Sequence, residues 1–365
     1  MLAVGAMAIV VVAAAALALS RSNITRGSAS ASSARDAHQN EHPLPGGRSQ
    51  TAPPTSSSSA PSPPSASGIS PAASSASATP PRSTAGLALG HPPLTLDLSA
   101  MDDPVQVAFH HEPRAGLLFD LDTGRVLWQR EATRVLPIAS LTKMMTALLV
   151  VRSRAPGTEV FIGKHAVDAA GSKIGLLPLY KHVPLETLLY GLLLPSGNDA
   201  AVALAENLAG SVPHFVEKMN VESAKLGLSC TRYTSPDGLD NGNSSCAADL
   251  AELADVDLQQ PRLAAITRSG SAVMPFPIKG GKLYLYNNNP LLRYGYPGAT
   301  GLKTGETEAA GLCLVGTAER HGVRLGVVLL HSPELGRQAE YLLDRGFQDG
   351  YGQAPIPAPP VPAGR

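Results

Sequence analysis

Aromatic side chains are scarce in this chain: they make up only 4% of its 365 residues, against 35 glycines and 32 prolines. That bias speaks against a uniformly folded chain and points to unfolded stretches beside a core of small residues. Nor is there an excess of charge of either sign, since 29 Lys and Arg face 29 Asp and Glu. The basic footprint of a nucleic-acid binder is missing, and no nucleic acid is expected as a partner. His165, His182, His214, His321 and His331 lack close ligand spacing with one another or with the cysteines, so no metal is called for. Also absent are a Gly-rich phosphate loop and the Gly-x-Ser-x-Gly elbow of esterases that use a Ser, His and Asp triad.

What the chain does have begins with an unbroken apolar and small-residue run from Leu2 to Leu19, long enough for a membrane span or a signal-peptide core. No Lys or Arg precedes it while Arg21 and Arg26 follow, the reverse of the usual bias. Residues 1–27 are read as a signal peptide or membrane anchor; Ala16 and Ala18 permit cleavage, so a tethered and a released protein both stay open. Either way the chain is expected to work outside the cytoplasm, touching the membrane through this segment if it is uncleaved. Residues 28–103, rich in Ser, Ala and Pro, lack the apolar periodicity that would offset chain entropy and are read as a disordered linker. Roughly 60 extended residues at ~3.1 Å each would reach ~190 Å. A Pro-rich stretch over 351–365 is likewise read as a disordered tail.

Between them, residues 104–350 carry folding signals. AGLLFDLDTGRVLWQ reads as a hairpin turning at Asp122-Thr123-Gly124. From Ser140 to about Ile266 the pattern is helical, as in SLTKMMTALLVV and ETLLYGLLL, interrupted by Gly, Pro and Asn. Strands return after Gly298, the last two meeting at His321-Gly322, and a helix follows from about Glu334 to Phe347. Strands at both ends with helices between imply an α/β fold: an antiparallel sheet flanked by helices, with a mostly helical lobe and a cleft between the two.

Three short motifs stand in that frame. Ser140-Leu141-Thr142-Lys143 follows Pro137 at a helix start, and the i to i+3 spacing puts Lys143 on the face of Ser140. A neutral lysine amine there can take the hydroxyl proton, while free N–H groups of the helix start favour developing negative charge. Ser196-Gly197-Asn198 falls between two helical segments, where Pro195 and Gly197 leave a polar turn. Lys303-Thr304-Gly305 lies in a strand-like stretch, where an edge strand can pair with a peptide and a cation and a hydroxyl can meet a carboxylate. Each motif alone has a plainer reading: a solvated helix face, a capping turn, a surface turn.

In this order and separation the three motifs resemble the signature of the penicillin-binding proteins and β-lactamases that share one fold. The stretches DLDTGRVLWQREATRVLPIASLTKMMTALLV, LLYGLLLPSGNDAAVALAE and GLKTGETEAAGLCLVGTAER are similar to D-alanyl-D-alanine carboxypeptidases of low molecular mass, and the resemblance covers nearly all of 105–350. It implies a serine DD-peptidase needing no cofactor, with peptidoglycan stem peptides as substrate and β-lactams as covalent inhibitors. It further implies Ser140 as nucleophile, Lys143 as base and Ser196 as the route by which the leaving amine is protonated. Asn198, Lys303, Thr304, Gly305 and Glu306 become substrate contacts, with the oxyanion held by the N–H groups of Ser140 and Glu306. Arg337 aligns with an arginine that assists in some relatives, and can equally be a plain surface charge. Two departures stand out: Glu306 where the family often has His, and no extra C-terminal β-domain.

Two other functions remain open on the sequence: a β-lactamase, and a non-catalytic module that binds β-lactams or cell wall. Against the first, no Glu-x-x-Leu-Asn lies between the first two motifs to drive fast deacylation. Cys230 and Cys246 flank the loop carrying Ser235-Pro236-Asp237-Gly238 and are candidates for a disulfide in an oxidising compartment. Cys313, in an apolar strand, reads as a buried free thiol.

Overall fold

The computed structural model describes residues 94–99 and 104–355. Alternating side chains start the fold. Strands β1 (Ala115–Asp120) and β2 (Val126–Arg130) form the expected hairpin, held at its turn by Asp120, whose Oδ1 accepts the N–H groups of Asp122 and Thr123. The chain returns to this sheet only near its end, in β9 (Ala299–Thr307), β10 (Gly311–Arg320) and β11 (Val323–Leu330). The antiparallel order is β2-β1-β11-β10-β9, which leaves β9 at an edge.

Period-two alternation divides the sheet's side chains between two cores. Leu117, Phe119, Val315, Val328 and Leu330 join one; Leu118, Leu314, Val327 and Leu329 join the other. The first is shared with the helical lobe, above all α1 (Lys143–Ser153), whose residues from Lys143 to Val150 are all buried. Around it stand the short α2 (Lys164–Asp168), which adds Ala166, and α3 (Leu185–Leu193), α4 (Asn198–Ala209), α5 (Val212–Lys225), α6 (Ala247–Leu258) and α7 (Pro261–Thr267). The second core is covered by α9 (Leu335–Arg345), through Leu335, Ala339, Leu342 and Leu343, and by Leu291 of the short α8 (Pro290–Arg293). The molecule is thus a mixed α/β fold with an antiparallel sheet between helical layers.

Some details depart from the sequence reading. The middle of the chain is not purely helical, because Leu136–Pro137 (β3) pairs with Ser244–Ser245 (β6), and Glu159–Phe161 (β4) pairs with His182–Pro184 (β5). Strands also return before Gly298: β7 (Ser271–Pro275) and β8 (Lys282–Tyr286) form a hairpin of their own. The stretch 94–99, which a boundary at 104 leaves in the linker, packs onto the fold, with Leu94 buried and Gln129 Nε2 donating to the Leu98 carbonyl at 3.2 Å. So do Tyr351 and Gln353, which a boundary at 350 leaves in the tail, the Tyr351 hydroxyl donating to Asp120 and Gln353 Nε2 to the Arg320 carbonyl at 3.0 Å. The apolar run Leu2–Leu19 lies outside the described residues. Among those described, no helix is long and apolar enough to cross a membrane.

Candidate active site

Ser140 sits in a 3-10 turn, Ala139–Thr142, that runs directly into α1 at Lys143. The turn is held in a costly shape: Ala139 has φ 48°, a left-handed conformation worth about 1–3 kcal/mol of local strain in a non-glycine residue. Two glycines make room for it. A Cβ on Gly238 would lie 2.0 Å from the Ala139 carbonyl oxygen, and one on Gly305 would lie 2.8 Å from the Ile138 oxygen and 3.0 Å from the Ser140 nitrogen. Strand β9 therefore packs flush against the nucleophile turn, which only a residue without a side chain allows.

Lys143 is fully buried beneath Ser140. Its Nζ lies 2.8 Å from Ser140 Oγ, 2.7 Å from Asn198 Oδ1 and 2.6 Å from the Asp237 carbonyl oxygen. An ammonium donates to all three. A neutral amine has two N–H groups, enough for Asn198 and Asp237, and turns its lone pair to the Ser140 hydroxyl, which then becomes the donor. Burial pushes the Lys143 pKa down to about 7, against the opposing pull of the Asp237 and Asp199 charges. The neutral form is accordingly well populated near neutrality.

Asn198 is fixed for this task at the start of α4. Its Nδ2 donates to the Ala170 carbonyl at 2.8 Å, so its oxygen faces Lys143. The next residue, buried Asp199, accepts from the Ile174 N–H at 3.0 Å and pins the neighbouring loop. Ser196 has φ 69°, is only 7% exposed, and its buried Oγ has no hydrogen-bond partner. Ser196 lines the cavity together with Ser140, and its hydroxyl is not engaged by another side chain or carbonyl among the described residues.

The third motif occupies the edge strand. Lys303 is buried and donates to the Thr304 carbonyl at 2.8 Å; burial first, and the Lys143 cation second, hold its pKa well below the usual lysine range. Register pairs Thr304 with Leu314 and Glu306 with Leu312, and Lys303 with Val315 and Gly305 with Cys313. Because paired residues share a face, Lys303 and Gly305 turn towards the nucleophile turn, while Thr304 and Glu306 turn towards α8 and α9. A cavity of about 780 Å³ wraps this edge, from Ser140, Ser196 and Thr304 to Arg293 and Tyr294 of α8 and Glu334, Arg337 and Glu340 about α9.

The structure thus brings Ser140, Lys143, Asn198, Ser196 and the Lys303–Glu306 strand to one cleft. Arg337 reaches only its rim: the side chain is 85% exposed, 3.8 Å from Glu334. Cys230 and Cys246 are joined, with Cα atoms 5.6 Å apart, and Cys313 is buried and free. Among the described residues the one group of three donors close enough to share a metal is Cys230, Cys246 and Asp249, and its two sulfurs are bonded to each other. Sequence reasoning missed the Asp237 carbonyl, the Ile174 loop and the Arg293–Tyr294 wall. Only the Asp237-Gly238 turn left any trace, since a main-chain acceptor carries no mark of residue type.

A family model for D-alanyl-D-alanine carboxypeptidases matches residues 102–334, which takes in every residue lining this cleft except Leu335, Gly336, Arg337 and Glu340. The chain belongs to the D-alanyl-D-alanine carboxypeptidase family. Within the family it is 34% identical over 246 residues to the carboxypeptidase DacF of Bacillus subtilis, covering 65% of this chain and 62% of DacF. It is 36% identical over 240 residues to DacB2 of Mycobacterium tuberculosis, covering 63% of this chain and 81% of DacB2. The crystal structure of the Streptomyces K15 DD-transpeptidase superimposes with a TM-score of 0.62 at 29% identity, over 66% of this chain and 99% of that one.

Proposed function

We propose that this chain is a serine-type D-Ala-D-Ala carboxypeptidase acting outside the cytoplasm on the stem peptides of peptidoglycan. The observation that carries the reading is the buried Lys143 amine 2.8 Å from the Ser140 hydroxyl, in a family whose members bear this activity in their names. In this reading neutral Lys143 takes the Ser140 proton as Oγ attacks the carbonyl between the two terminal alanines. The developing oxyanion meets the backbone N–H groups of Ser140 and Glu306. Ser196, with its unpartnered hydroxyl, passes a proton to the departing amine, and D-alanine leaves. The terminal carboxylate is held by the Thr304 hydroxyl, with the Lys303 region adding positive potential when protonated and Arg337 standing at the rim. Water hydrolyses the acyl-enzyme and restores Ser140.

β-Lactams present an amide in the same place and acylate Ser140. The N-terminal run exports the chain, either cleaved or kept as an anchor, and the Ser/Pro/Ala-rich linker gives the catalytic domain its reach. A second reading, acyl transfer to an amine, is favoured by one observation: the cavity of about 780 Å³ continues past Thr304, with room for an acceptor beyond the terminal alanine. The test is release of D-alanine from a muropeptide pentapeptide by the purified chain, with and without an added amine. Release abolished by Ser140→Ala supports hydrolysis; a product joined to the amine supports transfer. Bound penicillin that turns over rapidly favours a β-lactamase instead, and no D-alanine from either protein leaves only a binding module.

A further inference from the structure

The bond between Cys230 and Cys246 takes no part in the reaction as written, yet it closes the loop on which the reaction rests. That loop touches the nucleophile turn, the base and the rest of α1 through Pro236, Asp237, Gly238 and Asn243. The Pro236 carbonyl accepts from Thr146 Oγ1 of α1 at 2.6 Å, and the Asp237 carbonyl accepts from Lys143 Nζ at 2.6 Å. Gly238 lies against the Ala139 carbonyl so closely that no side chain fits. The Asn243 carbonyl accepts from the Ile138 N–H at 3.2 Å, just before β6 pairs with β3.

Inside the loop, Asn243 Oδ1 accepts the N–H groups of Thr234 and Ser235, and Ser235 Oγ donates to Asp237 Oδ1 at 2.6 Å. The tip is therefore one rigid piece, and its seat depends on its two legs. Cys230 stands after α5 and half-buried Cys230 Sγ faces the Thr133 carbonyl at 3.7 Å; buried Cys246 caps α6. Without the covalent link the legs keep the Arg232–Ser244 backbone pair and the Asp249 contacts to Cys230 and Thr231. Those contacts, with the Asn220 side chain hydrogen-bonded to the Tyr233 backbone, hold the legs in the fold, and the seat of the tip on α1 then rests on the Thr146, Lys143 and Ile138 hydrogen bonds.

We infer that the Cys230–Cys246 bond is a positioning element for the Lys143 base: it seats the Asp237 carbonyl on the amine and keeps water away, so the reduced enzyme stays folded but acylates slowly near neutral pH. This rests on the proposed reaction. The charged groups facing Lys143 are Lys303 from β9, Asp199 from α4 and the Asp237 side chain from the loop itself. Burial is the largest influence on the amine, and the two aspartates act against it. Admitting water weakens burial, the largest influence, while Asp199 stays in place on α4, so the amine holds its proton to higher pH even as Asp237 withdraws with the loop.

The test compares the oxidised full chain, the same chain reduced and alkylated in its folded state, and the Cys230→Ser/Cys246→Ser double variant. Ser140 acylation by a fluorescent penicillin is timed across pH, with circular dichroism at each point. The expected result is an acid limb displaced upwards: a rise of about one pH unit leaves acylation about fivefold slower at neutrality, with the difference vanishing on the alkaline side. An unmoved limb with only a lower melting temperature assigns the bond to stability alone and overturns the inference. Unfolding of both reduced forms at room temperature overturns it as well, because the inference requires a folded, slowed enzyme. If the oxidised chain itself is not labelled at Ser140, the proposed reaction fails, and that outcome is distinct from the other two.

Discussion

Among the described residues, the cluster of ionisable groups buried around Lys143 and the cluster buried around α6 differ in what they face. In one, Lys143 and Lys303 are pushed down by burial, stand beside the Ser140 hydroxyl and open to the cavity through Ser196 and Thr304. In the other, around α6, burial pushes acids up: Asp257 well above the usual range, Glu252 to about 7 with help from Asp249. Asp257 Oδ1 and the Tyr233 hydroxyl are buried without partners, and neither residue lines the cavity at Ser140. A perturbed ionisation is therefore common to both, and only convergence with a nucleophile and a cavity separates a site from a packed interior.

The comparison breaks if the α6 cluster matters to the chemistry or the lysine cluster does not. The largest expected effect is that of Ser140→Ala, which should reduce penicillin labelling and D-alanine release by at least about 10⁴-fold with the fold unchanged by circular dichroism. Lys143→Met should slow acylation by about 10³-fold, within the range for a lost general base, and should lower the melting temperature modestly, because Asn198 Oδ1 and the Asp237 carbonyl lose their buried donor. Thr304→Val should cut kcat/KM for the pentapeptide by about 10- to 100-fold, mainly through KM, as expected for one charge-assisted hydrogen bond to the terminal carboxylate.

Smallest in activity, and aimed at the other cluster, is Asp257→Asn, for which acylation rates should match the parent. Its effect belongs to stability. An acid whose folded pKa is raised binds its proton more readily when folded, so the stability it contributes is lost as pH rises from the ordinary aspartate range through the higher folded pKa. The asparagine variant cannot lose that proton; it should gain about 1 kcal/mol or more over the parent in denaturant unfolding at alkaline pH and show no gain near pH 4. A loss of acylation in this variant would erase the distinction between the two clusters.

How far the sequence foretold this structure follows the range of the interactions. The Asp122-Thr123-Gly124 hairpin, the Ser140–Lys143 spacing on one helical face and the strand character of Lys303–Gly305 were legible because each depends on neighbours in the chain, whereas the edge position of that strand is set by the order of the whole sheet. The left-handed Ala139 was not, since it is imposed by Gly238 and Gly305 from distant segments. Short pairings such as β3 with β6 also escaped, because two residues are too few to show a period. The β7–β8 hairpin did carry its alternation, with Ala272, Met274, Leu283 and Leu285 inward and Val273, Tyr284 and Tyr286 outward. The apolar helical pattern that ends at Ile266 and the turn residues after it hid that shorter period. Asp237 shows the limit most clearly: its main-chain oxygen is what Lys143 meets, and any residue could have supplied it.

The claim at the centre is that a buried lysine, neutral near physiological pH, activates Ser140. The pH dependence of penicillin acylation at Ser140, followed by mass spectrometry of the labelled peptide, tests it most directly. The rate should climb with pH to half its plateau near the Lys143 pKa of about 7, with the label on Ser140 alone. A rate that stays flat through that range, or a label found on another residue, would contradict it.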